Sequence, residues 1–434
     1  MVVRSRAPLL LCAALTVGCQ GVLGLTQDTI VEVSAKADAS APKDGGVDGG
    51  VQYHELTTLA DWSYFDTTTV SSNSQSFLGG TFDGQYVYLA PSSGSLVTRY
   101  DIQAPFGQSS SWSTFDAMLG GASTAGGGAA FDGRFVYFVA GSAVAQYDSY
   151  AYFEDPSSWT NVDIAKLAMV GLLNTDGGPW MSPSAPSFIG ATFDGRFLYL
   201  APSEGSVIVR FDTTQSFTNA LSWEAYDAAT LGVAFTPSTG AYQGSVFDGR
   251  FVYFIPSGTL PVVRYNAAIN FADRAAWSTF DTGSLESGAG NFRCGAYDGR
   301  FLYLVPSGTS LAVQYDTTGS FSSKRSWSIF DTTTVNAGAA GFGGSAFDGR
   351  YVYLVPGDTS FIARYDTGSL FTASKSWTVF DTTSVGESSS SFGGAIFDGR
   401  YIYLVPTNVG GVVRFDARTP PSLPSLPESS GAFL

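Results

Sequence analysis

Gly344-Ser345-Ala346-Phe347-Asp348-Gly349-Arg350-Tyr351-Val352-Tyr353-Leu354-Val355-Pro356 reads as two short strands joined by a tight turn. Asp-Gly supplies the positive-φ pair that a two-residue hairpin demands. The first strand is built of small residues and suits a crowded interior. The second is apolar at every position, so both of its faces must be buried. Two further runs complete the unit, Phe361 to Asp366 and Trp377 to Asp381, giving four strands called a to d.

The same turn recurs along the chain. Its glycines are Gly84, Gly133, Gly195, Gly249, Gly299, Gly349 and Gly399, with intervals of 49, 62, 54, 50, 50 and 50 residues. Such self-similarity is the mark of a repeat architecture. A four-stranded unit of this length that is apolar on both faces must stack on its neighbours. The chain opens with an orphan strand d, Trp62 to Phe65, and ends with strands a, b and c, the last around Val412 to Phe415. Pairing the two closes a ring and removes two exposed strand edges. An all-β, seven-bladed propeller of four-stranded antiparallel blades is therefore expected.

Spacing from Tyr315-Asp316 to Trp327, and from Tyr365-Asp366 to Trp377, resembles kelch-type propellers over roughly residues 56 to 417. Where kelch repeats carry Gly-Gly after strand b, this chain has Pro306-Ser307-Gly308.

Both ends differ in composition from the repeats. Arg4 and Arg6 precede an apolar run, Ala7 to Val17, of secretory signal length and too short to span a membrane. The following Thr16-Val17-Gly18-Cys19 resembles the bacterial lipobox, which implies acylation of Cys19, with Gln20 compatible with outer-membrane sorting. Expected segments are a signal peptide (1–18), a lipid-bearing flexible tether (19–55), the propeller (56–417) and a disordered Pro/Ser-rich tail (418–434). A tether of this kind reaches on the order of 30 Å. A monomer at the bacterial cell envelope is expected. With Cys12 in the signal and Cys19 acylated, Cys294 stands alone in the repeats, in a slot held elsewhere by small or apolar residues. It reads as buried and structural.

A net charge of −15 argues against nucleic acid, whose binding relies on clustered Lys and Arg. Asp recurs in the hairpin turn, after strand c (Asn266 once) and after strand d, which accounts for 20 of the 37 acidic residues. Residues repeated round a whole ring are turn and cap elements before they are catalysts, since catalysis needs one asymmetric constellation. Calcium, other metals and cofactors are accordingly not expected. The only histidine, His54, precedes the first strand, so a Ser-His-Asp triad or a His-based zinc site has no basis.

The turn arginines, such as Arg134 and Arg350, are expected to lie on aromatics and pair with nearby Asp. The tryptophans at 62, 112, 159, 223, 277, 327 and 377 share one phase and are expected to pack between blades rather than stack on sugars. Arg99, Arg210, Arg264, Arg364 and Arg414 on strand c, with Gln146 and Gln314 in their place twice, either line a carboxylate-binding surface or, the simpler reading, pair across strands with Asp.

Asymmetry is the better guide to function. An insertion at about Ala168 to Ser187 contains Asp176 and Trp180, the one Trp outside the repeat phase; a shorter one runs from Leu231 to Tyr242. Both fall on d-to-a connections, which emerge on the same face as the b-to-c turns. The leading expectation is a non-catalytic recognition or scaffold module that binds a glycan or protein there, with Trp180 and Asp176 as ligand-binding candidates. One alternative is a carbohydrate-active enzyme with a carboxylate pair in the central funnel, for which Glu204, Glu224 or Glu286 would have to converge. The other is a purely structural envelope component.

Overall fold

The computed structural model describes residues 47–48, 50–118, 127–170, 186–235, 242–386 and 391–419. It contains seven four-stranded antiparallel sheets, each hydrogen-bonded in the order a-b-c-d. This is the expected all-β seven-bladed propeller. In blade 6 the strands are Phe342–Phe347, Tyr351–Pro356, Phe361–Asp366 and Trp377–Asp381. Strands a lie against one another round the ring and line its centre, leaving strands d at the rim. The approach is so close that a Cβ on Gly344 would fall 2.4 Å from Gly394 Cα.

Ring closure follows the sequence expectation. Strand Trp62–Asp66 pairs antiparallel with Gly411–Asp416, with Trp62 opposite Phe415 and Phe65 opposite Val412. The seventh blade is thus made from both ends of the propeller, which places residues about 350 apart in sequence side by side.

The folded body reaches beyond the repeats at both ends, a departure from the expected 56–417 boundaries. Val51–Tyr53 pairs with Arg418–Thr419 and with Val47–Asp48 in a small separate sheet. Tyr53 is buried against Tyr351, and Leu56 is fully buried. In the other six blades the Trp indole N–H donates to a Phe carbonyl in the c-to-d turn; in blade 7 that turn is broken by the chain ends, and Trp62 donates instead to Leu56 O at 2.9 Å. The segment before strand d therefore replaces a missing turn, which is why it packs.

A short helix, Ile164–Val170, follows strand d of blade 2, at the start of the longer insertion. The repeat phase gives no hint of it.

Candidate functional site

The hairpin face is uniform. In each turn one Asp oxygen accepts two backbone N–H groups and the other accepts a strand-b Tyr hydroxyl. For Asp348 the donors are Arg350 N (2.8 Å), Tyr351 N (2.6 Å) and Tyr353 Oη (2.7 Å). Asp83, Asp132, Asp194, Asp248, Asp298 and Asp398 repeat the pattern. Burial pushes the Asp348 and Asp398 carboxyls up, against the pull of these donors. In five blades the Asp after strand d caps a 3-10 turn, as Asp331 does for Thr333 N. The Asp after strand c pairs with the turn arginine at 2.6–3.0 Å in five blades, and the guanidinium lies over the next aromatic ring. Repeated acid is scaffold, as its periodicity implied.

Strand-c arginines correct the expected pairing with Asp. Arg264 is clamped between Phe251 of its own blade and Phe321 of the next, at 4.2 and 4.1 Å from the ring centroids. Arg99 and Arg414 are clamped in the same way, and Arg210 lies over Phe197 and Phe271. They donate to strand-d side chains, Ser113, Ser278 and Ser63, with Glu224 for Arg210, and Arg99, Arg210 and Arg264 donate also to the strand-c Tyr hydroxyl of the next blade. Register explains it, because the strand-c arginine projects between blades, where aromatic rings and not carboxylates meet it. Arg364, whose neighbouring blade 7 has no continuous c-to-d turn, donates to His54 O and Glu55 instead.

The tryptophans pack between blades, as their phase implied. Each indole but one stacks on the strand-d aromatic of the preceding blade; Phe280 and Trp327 are 4.3 Å apart and 5° from parallel. Cys294 is buried in strand a, with Sγ 3.3 Å from Ser345 Oγ.

The opposite face, formed by b-to-c and d-to-a connections, is where the seven-fold pattern breaks. Near the start of strand a, six blades carry a β-bulge whose extra residue leaves the ladder. In five of these blades that residue is Leu78, Gln243, Arg293, Gly343 or Gly393. Bulges re-aim side chains and collect beside functional sites. Arg293 is the one charged residue on the described innermost strands. Its Nη1 donates to Gln243 Oε1 of the preceding blade at 3.4 Å. Desolvation draws its guanidinium below the ordinary range, while Asp358, in the b-to-c turn of the following blade, acts in the opposite sense. Arg293 and Gln243 thus meet between adjacent innermost strands, with the Asp358 carboxylate of the following blade acting on the cation. The sequence reading passed over Arg293; aligning the copies at this position would have exposed it as the only charge in its column.

Of the other candidates, Cys19, Asp176 and Trp180 lie outside the described residues. Glu224 is taken by Arg210 at 2.7 Å. Glu204 ends strand Phe197–Glu204, and Glu286 follows the 3-10 turn Thr282–Ser284 of another blade. No hydrogen bond or ion pair found among the described residues joins any two of these acids. Nor do the described residues contain a group of three His, Cys, Asp or Glu side chains placed to hold a metal ion.

No model of a known protein family matches this chain, and no curated protein does. Solved structures do. Virginiamycin B lyase from Staphylococcus aureus is 12% identical, with 82% of this chain and 98% of that one covered and a TM-score of 0.55. YCF48 bound to D1 peptide is 13% identical, covers 82% and 96%, and scores 0.53. Raptor from Chaetomium thermophilum is 9% identical and scores 0.50, over 82% of this chain and 29% of its own. At these identities the likeness shows the propeller fold.

Proposed function

We propose that this chain is a non-catalytic recognition or scaffold propeller of a bacterial envelope, which presents its loop face to a protein or glycan bearing a carboxylate. The observation that carries this reading is Arg293: the one charged residue on the described innermost strands, set on a bulge, bonded to Gln243 and under the influence of Asp358. Guanidinium groups recognise carboxylates through paired, charge-assisted hydrogen bonds. A peptide occupies the related propeller YCF48, which lends weight to a protein ligand. Asp176 and Trp180, on the insertion of the same face, would extend the site. The repeats are kelch-like in the spacing of Tyr-Asp and Trp, and the signal-like start would place a lipid on Cys19, holding the propeller at the outer membrane through its tether.

Peptide and glycan arrays probed with the whole chain test the site. Arg293→Met is expected to weaken a carboxylate-bearing ligand ~10- to 100-fold, the usual worth of a charged hydrogen bond. A ligand bound equally well by Arg293→Met and by Trp180→Ala would overturn the loop-face reading. Mass analysis of the mature N-terminus tests the anchor: diacylated Cys19 is expected, and an unmodified start elsewhere would refute it.

A further inference from the structure

We propose a second ligand site on the opposite face, where Tyr150 and Tyr152 of blade 2 form a stacking platform for a neutral sugar. These two are the exposed aromatics among the described residues, at 79% and 86% of their full accessibility. Every other Tyr, Phe and Trp described is at least partly covered. They lie in the c-to-d turn, two and four residues beyond Asp148. The equivalent residues elsewhere are Gln103 and Pro105, Thr214 and Ser216, Ala268 and Asn270, Thr318 and Ser320, and Gly368 and Leu370. No other blade puts a ring at either position, so folding the repeat does not call for one.

Local geometry holds the first ring in place. The Tyr150 N–H donates to Asp148 Oδ1 at 3.1 Å, and its hydroxyl reaches back to Gly133 O, 3.4 Å away, across the hairpin turn. Beside it lies the Arg134–Asp148 pair, at 2.7 Å, with the guanidinium 57% exposed. Arg196–Asp212 and Arg300–Asp316 repeat this pair in blades 3 and 5, without an aromatic residue at either c-to-d turn position. Among the described residues, blade 2 alone therefore sets solvent-exposed aromatic rings in the turn that carries this donor and acceptor fork. A pyranose presents the complement: a face of C–H groups that packs on an aromatic ring, and vicinal hydroxyls at its edge that such a fork can grip.

Charge and surroundings favour a sugar over a peptide. Glu154 and Asp155 follow the rings in the same turn, exposed, and give the patch a charged rim. The turn backbone is closed on itself, Ala151 N to Asp148 O and Asp155 N to Tyr152 O, and offers no row of groups for an added strand. Blade 2 is also the blade that has shed its strand-c Arg (Gln146) and its strand-d aromatic (Val162), so its departures from the repeat are concentrated.

The test is an array of neutral oligosaccharides (β-glucan, chitin and mannan fragments), followed by titration of any hit with the whole chain and two variants. Tyr150→Ala/Tyr152→Ala is expected to weaken binding at least tenfold with its melting temperature unchanged, because both rings are already in solvent. Leu370→Ala, at the same turn of blade 6 and 69% exposed, is expected to bind as wild type. Absence of any neutral-glycan binding by wild type, equal binding by the double variant, or loss of a protein ligand alone would overturn the platform. Arg293→Met separates the two sites: it should leave this binding intact, and a glycan lost in Arg293→Met but kept by the tyrosine variant would support the loop face and refute the platform.

Discussion

The junction between blades 4 and 5 and that between blades 2 and 3 are built from the same repeat and held together differently. At the first, Arg264 is clamped between Phe251 and Phe321, and Phe280 lies flat on Trp327. At the second, Gln146 replaces the arginine and donates to Tyr137 Oη within its own blade, and Val162 stands where the aromatic would be. Trp223 remains buried there because Val162 and Ile164, at the start of the added helix, join its cluster. Directional ties have been exchanged for aliphatic cover at the junction where the chain inserts most residues. A propeller tolerates this because closure is a property of the whole ring, so one junction can loosen while the other six keep the stacked tryptophan. Blade 2 is thereby released from the repeat's constraints, and it is the blade that carries exposed tyrosines.

The largest expected difference lies in the tryptophans. Trp327→Ala should cost about 3–5 kcal/mol, as large aromatic deletions in cores do. Trp223→Ala should cost about 1 kcal/mol less, since it has no parallel strand-d ring to lose. Equilibrium unfolding in urea of both variants measures this, and equal costs would show that aliphatic cover is worth as much as stacking.

Exchanging the strand-c residues sharpens the comparison. Arg264→Met should destabilise by about 1–2 kcal/mol, because its cation lies between two rings and largely out of water. Gln146→Met should change stability by less than about 0.5 kcal/mol. The gain-of-function change is more telling: Gln146→Arg puts a guanidinium between Phe135 and Phe217 and should stabilise by about 0.5–1 kcal/mol. A loss of stability in Gln146→Arg would mean that the junction has repacked around the amide and no longer holds a vacant clamp.

The contrast also shows what periodicity can convey. Turn spacing, blade number, the shared seventh blade and the inter-blade role of the tryptophans were all legible, because each is a statement about phase. The partners of the strand-c arginines were not. Alternation placed Arg264 on a face, but which rings meet it depends on how blade 5 docks, a distance no repeat encodes. Arg293 was hidden for another reason: a bulge changes which way a residue points, and nothing in Phe292-Arg293-Cys294 announces one. The strap Val51–Tyr53 was lost in a polar, glycine-rich stretch because it packs in place of a turn, with too few residues to show a pattern. Candidate sites were legible only as exceptions to the repeat.

The smallest effect is one of pH, and it distinguishes the two blades that meet at the better-tied junction. In blade 5, the ion pair with Arg300 and hydrogen bonds from Thr318 hold Asp316 at a pKa of about 2, below the ordinary carboxylate range. In blade 4 the equivalent residue is Asn266, which does not titrate. A carboxyl whose folded pKa is depressed contributes stability that is complete above its unfolded value and is lost as pH falls through the folded one. Stability should therefore decline between about pH 4 and pH 2 partly through Asp316, and Asp316→Asn should flatten that part of the profile while costing little near neutrality, since the arginine is largely in solvent. Urea midpoints of wild type and Asp316→Asn from pH 7 to pH 2 test this. Parallel profiles would mean that the pair adds nothing to stability, and that blade 4 loses nothing by having Asn266 instead.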